Sequence, residues 1–268
     1  METARWLATF KNMGRKASAL VLPLAGTARG RRELGRGAAG DTTLYMDRVL
    51  EKMVVREAER AGNVRLISEE LGIHDFGRPK VAIVVDPLDG SANAESGIGF
   101  YAVSYALGPP EPTLGDIRLG YVRNLVSGEE YWAVKGKGAF RNGRRISSRK
   151  DGSLRLLLLE MSPGPVRAFE NARGMVERAS KIRCLGSMAL DLCYVASGSA
   201  SALADLRGGL GRPLDISAGK LILEEAGGVV TDADGAALDG LPIDMATRTD
   251  MLASANGRMH RQVLKLKG

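Results

Sequence analysis

The chain has 268 residues, 44% of them hydrophobic and 26% charged, enough to bury a substantial core as one large domain or two half-size ones. No apolar stretch approaches the roughly 18 to 20 residues that cross a bilayer, and METARWLATFKNMGRK lacks a signal peptide's apolar centre. No membrane partner and a cytoplasmic location are therefore expected. The net charge of +7 is modest for this length, and Cys184 and Cys193 suit neither a disulfide framework nor a zinc site, so they read as reduced core thiols.

In chain order, the spacing predicts a first helix from Thr3 to Leu24, then a segment at 25–43, including GTARGRRELGRGAAGDTT, that is rich in Gly and Arg and reads as a mobile loop. A second helix, LYMDRVLEKMVVREAER, places Met46, Leu50 and Val54 on one face. VRLIS (64–68) and KVAIVV (80–85) are β-branched runs of strand length, each followed by carboxylates. FYAVSYAL (100–107), RLGYVRN (118–124) and paired strands in SGEEYWAVKGKGAFRNG continue a sheet, with Asn142-Gly143 as a tight turn. From about 150 the pattern alternates: LRLLLLE, a helix near 165–179, KIRCLG, a helix near 188–197, ASALADL, a helix from about Asp215 to Ala226, then VVTD. This predicts mixed α and β structure in two packed halves, 1–149 and 150–268. Gln262 is the sole glutamine and arginine is abundant, a composition that suggests a thermophile.

VVDPLDGSAN (84–93) concentrates the chemistry. Asp86 and Asp89 repel each other unless a cation lies between them. If the strand ends at Val85 and the chain turns sharply through Pro87, both carboxylates and the Leu88 carbonyl face one point, a set of hard oxygen donors suited to Mg²⁺ or Mn²⁺. Gly90 permits close backbone approach, and Ser91 opens a helical turn whose N–H groups suit a phosphate. An acidic turn with a capping serine has the same spacing, and spacing alone leaves it open. Asp47 and Glu51, one helical turn apart, read by themselves as a solvated charged face. Asp215, after Pro213, reads by itself as a helix N-cap. Glu224 and Glu225 read as surface charge or an internal pair, and neither His74 nor His260 has ligand spacing.

DPLDGSAN resembles the first signature of the inositol monophosphatase superfamily, which includes archaeal fructose-1,6-bisphosphatases. LISEELG (66–72) is similar to its upstream acidic segment, and PLDISAGKLILEEAGG (213–228) to its second signature. GYVRNLVSGEEYWAVKGKGAFRNGRRI and LGSMALDLCYVASGSASA resemble its connecting hairpins and later G-S-x-A segment. The resemblance spans nearly the whole chain in order. It implies an αβαβα sandwich, commonly a homodimer, and a Mg²⁺-dependent phosphate monoester hydrolase acting through metal-activated water on a sugar or cyclitol phosphate.

By that resemblance, Glu69, Asp86, Asp89, Asp215 and the Leu88 carbonyl bind two or three Mg²⁺, with Mn²⁺ possible. Glu69 and Ser91 orient the water, and Asp47 polarises this group. Gly90 and Ser91 approach the substrate, as does Ser187 through its own hydroxyl or the adjacent backbone, and Asp205 and Arg207 contact a hydroxyl and a second phosphate. The segment 25–43 takes the position of a flexible catalytic loop. Two departures stand out: Leu214 replaces a tryptophan, and Gly208 stands where animal inositol monophosphatases carry a ring-binding glutamate. Substrate choice therefore stays open among inositol 1-phosphate, fructose 1,6-bisphosphate and a nucleotide such as 3′-phosphoadenosine 5′-phosphate. A basic RNA-binding module, suggested by RGRRELGRG, is disfavoured because no aromatic stacking pair or recognition helix accompanies it.

Overall fold

The computed structural model describes residues 2–38 and 42–268. The first helix, α1 (Glu2–Val21), buries Phe10, Met13, Ala17 and Val21 along one face. It stops short of the predicted Leu24 because Pro23 disfavours a helical conformation at Leu22. The Gly/Arg segment expected to be a mobile loop, of which residues 39–41 lie outside the described residues, holds a two-stranded antiparallel sheet, β1 (Glu33–Arg36) and β2 (Thr42–Leu44). Within it the Arg29 guanidinium lies over the Tyr45 ring and donates to its hydroxyl, and Arg32 also lies over this ring.

There follow α2 (Tyr45–Ala61), β3 (Val64–Ser68), β4 (Gly72–Phe76), β5 (Val81–Asp89) and the short α3 (Ser91–Ser96). Next come β6 (Ala102–Gly108), β7 (Leu119–Asn124), β8 (Glu130–Val134), β9 (Gly138–Arg141) and β10 (Arg144–Ile146). Asn142 and Gly143 both take positive φ, the conformation of a two-residue hairpin turn, and join β9 to β10 as the sequence predicts. The rest comprises β11 (Leu156–Glu160), α4 (Pro165–Arg178), β12 (Lys181–Arg183), α5 (Met188–Ala196), β13 (Ala202–Asp205), α6 (Pro213–Glu225), β14 (Val229–Thr231), β15 (Met251–Ser254) and α7 (Gly257–Lys265).

β3 to β10 form one eight-stranded sheet, ordered β10-β9-β8-β7-β6-β5-β3-β4, in which only β3 and β5 run parallel. β11 to β15 form a five-stranded sheet, ordered β12-β11-β13-β15-β14. Alternation along the strands assigns the layers. Val81, Ile83 and Val85 pack with α1 and α2, whereas Ala82 and Val84 face the opposite way, toward α5 and α6. The smaller sheet repeats this arrangement: Leu158 and Leu203 share a core with α5 and α6, while Leu157, Leu159 and Ala204 pack with α4 and α7. The order is helices, large sheet, helices, small sheet, helices, an αβαβα sandwich. No helix among the described residues is long and apolar enough to cross a membrane.

Two local features position the functional residues. The first concerns β5, which does not stop at Val85. It continues to Asp89, with Asp86 opposite Ser104 and Asp89 opposite Ala102, three steps on one strand against two on its neighbour. That one-residue bulge replaces the expected sharp turn, and Pro87 is tolerated inside it because the bulged residue need not donate to the ladder. The second is Gly120 on β7, where an added Cβ would lie 2.6 Å from the Ala218 carbonyl oxygen. Glycine there lets the α6 backbone settle directly on the large sheet.

Candidate active site

Three segments deliver the acids that converge in one cleft of about 520 Å³. Glu69 follows β3, Asp86 and Asp89 lie on the bulged end of β5, and Asp215 occupies the first turn of α6. Parallel pairing sets Ser68 opposite Val85, so the carboxylates that follow emerge side by side. Glu69, Asp86 and Asp215 each present an oxygen within 4.8 Å of the others. Burial pushes the Asp86 carboxyl well above its usual range, and Glu69, Asp89 and Asp215 add repulsion. Burial raises Asp215 to about 6, with Arg212 pulling the other way.

Asp89 is held differently. The Ser187 hydroxyl and the Ala189 N–H donate to Oδ2, and the Met188 N–H donates to Oδ1, so this carboxylate sits on the first turn of α5. Burial raises it to about 7 against those hydrogen bonds. The Leu88 N–H closes a tight turn onto Asp86 Oδ1 at 2.9 Å, and Leu88 itself lines the cleft.

Gly90 has φ of 89°, and a Cβ there would lie 2.9 Å from the Gly186 carbonyl oxygen, so conformation and space both require glycine. Ser91, at the start of α3, is exposed and lines the cleft. Asp47 enters the same cleft from α2. Its Oδ2 accepts the Leu44 N–H at 2.7 Å, and its Oδ1 is buried with no hydrogen-bond partner. Burial, then the neighbouring Glu70 and Glu69, raise it to about 7. Asp47 and Glu51 are each 2% exposed, so they do not form the solvated face that their spacing suggests.

Several expectations need correction. Asp215 is not the N-cap of α6, because Arg212 holds that place and the helix begins at Pro213. Ser187 turns its hydroxyl inward to Asp89, while its neighbours Gly186 and Met188 line the cleft. Asp205 is buried behind Arg207, whose Nε and Nη2 donate to its two oxygens at 2.7 Å each; it orients this arginine rather than facing the cleft. Arg207 itself lines the cleft, and its Nη1 donates to the Ser162 carbonyl. Cys193 is buried as expected, whereas Cys184 is exposed. Glu224 pairs with Lys220, and Glu225 accepts the N–H groups of Gly136 and Gly138, both away from the cleft. His260 is buried against Thr231 and Ser254.

Sequence reasoning missed two residues. Asn93, at the end of DPLDGSAN, donates to the carbonyls of Phe100 and Leu185 at 2.8 and 2.6 Å and ties α3 to the loop before α5. Arg212 donates through Nη2 to Glu69 Oε1 and through Nε to Asp215 Oδ2 at 3.0 Å, so a basic side chain lies among the acids. Its place three residues before a helical Asp was the available signal.

The fit to a divalent cation rests on these carboxylates. Asp215 Oδ1 is buried with no hydrogen-bond partner, and oxygen donors converge without histidine or cysteine, a set that suits a hard cation.

A family profile described as the inositol monophosphatase family matches residues 3–266. A fructose-1,6-bisphosphatase/inositol-1-monophosphatase of Methanothermobacter thermautotrophicus is 38% identical over 97% of this chain and 95% of that one. A bifunctional NADP phosphatase/NAD kinase of Methanococcus maripaludis is 31% identical over 96% of this chain and 48% of its own length. Among solved structures, a Pyrococcus horikoshii protein described as similar to inositol-1 monophosphatase superposes with a TM-score of 0.86 at 26% identity, covering 99% of both chains. A five-layer sandwich with an acidic cleft at the ends of its strands and helices, matched in this way, defines a phosphoric monoester hydrolase. Within that class, the chain belongs to the inositol monophosphatase family.

Proposed function

We propose that the cleft hydrolyses phosphate monoesters of sugars and cyclitols, with inositol 1-phosphate and fructose 1,6-bisphosphate as its substrates and Mg²⁺ as its cation. The convergence of Glu69, Asp86 and Asp215 within 4.8 Å carries this reading. Together with Asp89 and the Leu88 carbonyl, these residues would hold the metal, which when bound would supply charge neutralisation at the phosphoryl oxygens and acidify the attacking water. Glu69 and Ser91 orient that water, and Asp47, buried and poised near neutral pH, draws the proton through Ser91. The backbone at Gly90 and Ser91 receives the phosphoryl group, and no covalent phosphoenzyme is required. Arg207, held by Asp205, faces the distal end of the substrate, where a second phosphate suits its charge. A cytoplasmic homodimer is the working assembly.

A second reading, a nucleotide carrying a ribose phosphate, follows from the NADP phosphatase relative and from Gly208. With no side chain at 208, the Arg167 guanidinium fills that space, and the Asp250 carboxylate beside it is taken up by the Gly208 and Gly209 N–H groups. Phosphate release from inositol 1-phosphate, fructose 1,6-bisphosphate, NADP and 3′-phosphoadenosine 5′-phosphate, with and without Mg²⁺, separates these substrates. Asp86→Asn and Asp89→Asn should each lower kcat/KM by more than about 100-fold, beyond what outer-sphere groups of a metal site cost. Near-normal turnover in both variants would contradict the proposal.

A further inference from the structure

Arg212 is a basic side chain bonded to the acids grouped at the cleft. It bridges two segments that are far apart in sequence: Nη2 donates to Glu69 after β3, and Nε donates to Asp215 in the first turn of α6. All three side chains are mostly buried, at 16% exposure for Arg212, 17% for Glu69 and 18% for Asp215. The following Pro213 restricts Arg212 to extended backbone, φ −112° and ψ 137°, so the side chain leaves the chain at a fixed point over the helix start. The guanidinium thereby contacts two of the three carboxylates whose oxygens converge within 4.8 Å. A divalent ion on those oxygens would meet a like charge at hydrogen-bonding distance from its own ligands, which strongly disfavours simultaneous occupancy.

We propose that Arg212 is an internal counter-ion of the acid cluster, exchanged for the cation, so that metal loading and displacement of this guanidinium are one event. The inference rests on the metal reading given above. Arg212 partly neutralises the cluster and ties β3 to α6 before metal enters, and it lowers metal affinity by competing for Glu69 and Asp215.

The test is Mn²⁺ binding to the chelator-treated full-length protein, followed by calorimetry and by the spin resonance of free Mn²⁺, in the absence of substrate. Wild type, R212Q, R212K and D86N are compared, with thermal midpoints taken in chelator and in saturating Mn²⁺. Exchange predicts that R212Q and R212K both bind Mn²⁺ about tenfold or more tightly than wild type, because lysine lacks the planar fork that spans both carboxylates. It also predicts lower midpoints for both variants in chelator, converging on wild type in Mn²⁺. Tightening in R212Q alone would mark a bystander charge, and unchanged or weaker binding in both would mark a supporting role around the metal; either result overturns the proposal. Mn²⁺ binding that is absent from wild type or unaffected in D86N overturns the metal reading itself, and the exchange with it, which distinguishes the two failures.

Discussion

Asp47, Asp89 and Asp215 each keep a proton to higher pH in the folded chain than the usual 3.8, to about 7, 7 and 6. The folded state therefore binds more protons than the unfolded chain between those limits, and stability falls as pH rises through this window. In chelator, the thermal midpoint should be higher near pH 5 than near pH 8. Saturating Mg²⁺ should raise the pH 8 midpoint more than the pH 5 one, because ionised carboxylates bind the cation. A midpoint in chelator that climbs from pH 5 to 8 would show that these acids are not the dominant titrating groups. At this scale the sequence was informative where chemistry is local: Asp86, Asp89, Gly90 and Ser91 lie within six residues and line one cleft. It was uninformative where the partner is remote, as in the Ser187 hydroxyl on Asp89 or the Arg207 fork on Asp205.

Among the elements, α6 links the cleft to the middle layer, because it carries Asp215 and packs between the two sheets. Its close seat on β7 depends on Gly120. Gly120→Ala places a methyl group 2.6 Å from the Ala218 carbonyl oxygen, so the helix must shift. The expected cost is about 1–3 kcal/mol of stability, with a loss of kcat larger than that destabilisation explains, because Asp215 moves with α6. Chemical denaturation with parallel kinetics reads both, and full activity in a destabilised variant would show that the seat is structural only. A β-branched run of strand length such as VRLIS was predicted at its observed limits. β4 was missed because GIHDF is an edge strand with three exposed positions, and such a strand owes its shape to what it packs against. α7 was missed although it is amphipathic and Asn256 caps it by accepting the Met259 N–H.

For the molecule as a whole, the break near residue 150 separates the two sheets, but the apolar core between them draws on both halves. α5 and α6 lie beyond that boundary, yet they share one apolar cluster with Ala82, Val84 and Val122 of the large sheet and with Leu158 and Leu203 of the small one. A fragment of residues 1–149 should therefore expose the inner face of its sheet, bind a hydrophobic dye and be cleaved rapidly by protease, whereas the full chain resists. A compact, protease-resistant fragment would mean that the first half folds by itself. The sequence alone determined the alternation of strand and helix, the metal-suited acids of one short motif and the family signatures, because these depend on period and spacing along the chain. Only the tertiary structure decided that β5 runs on through a bulge, that Asp89 rests on α5 and that Arg212 reaches across to Glu69. Those outcomes depend on which distant backbones are brought within hydrogen-bonding range, and that is settled by packing of the middle helical layer between two sheets.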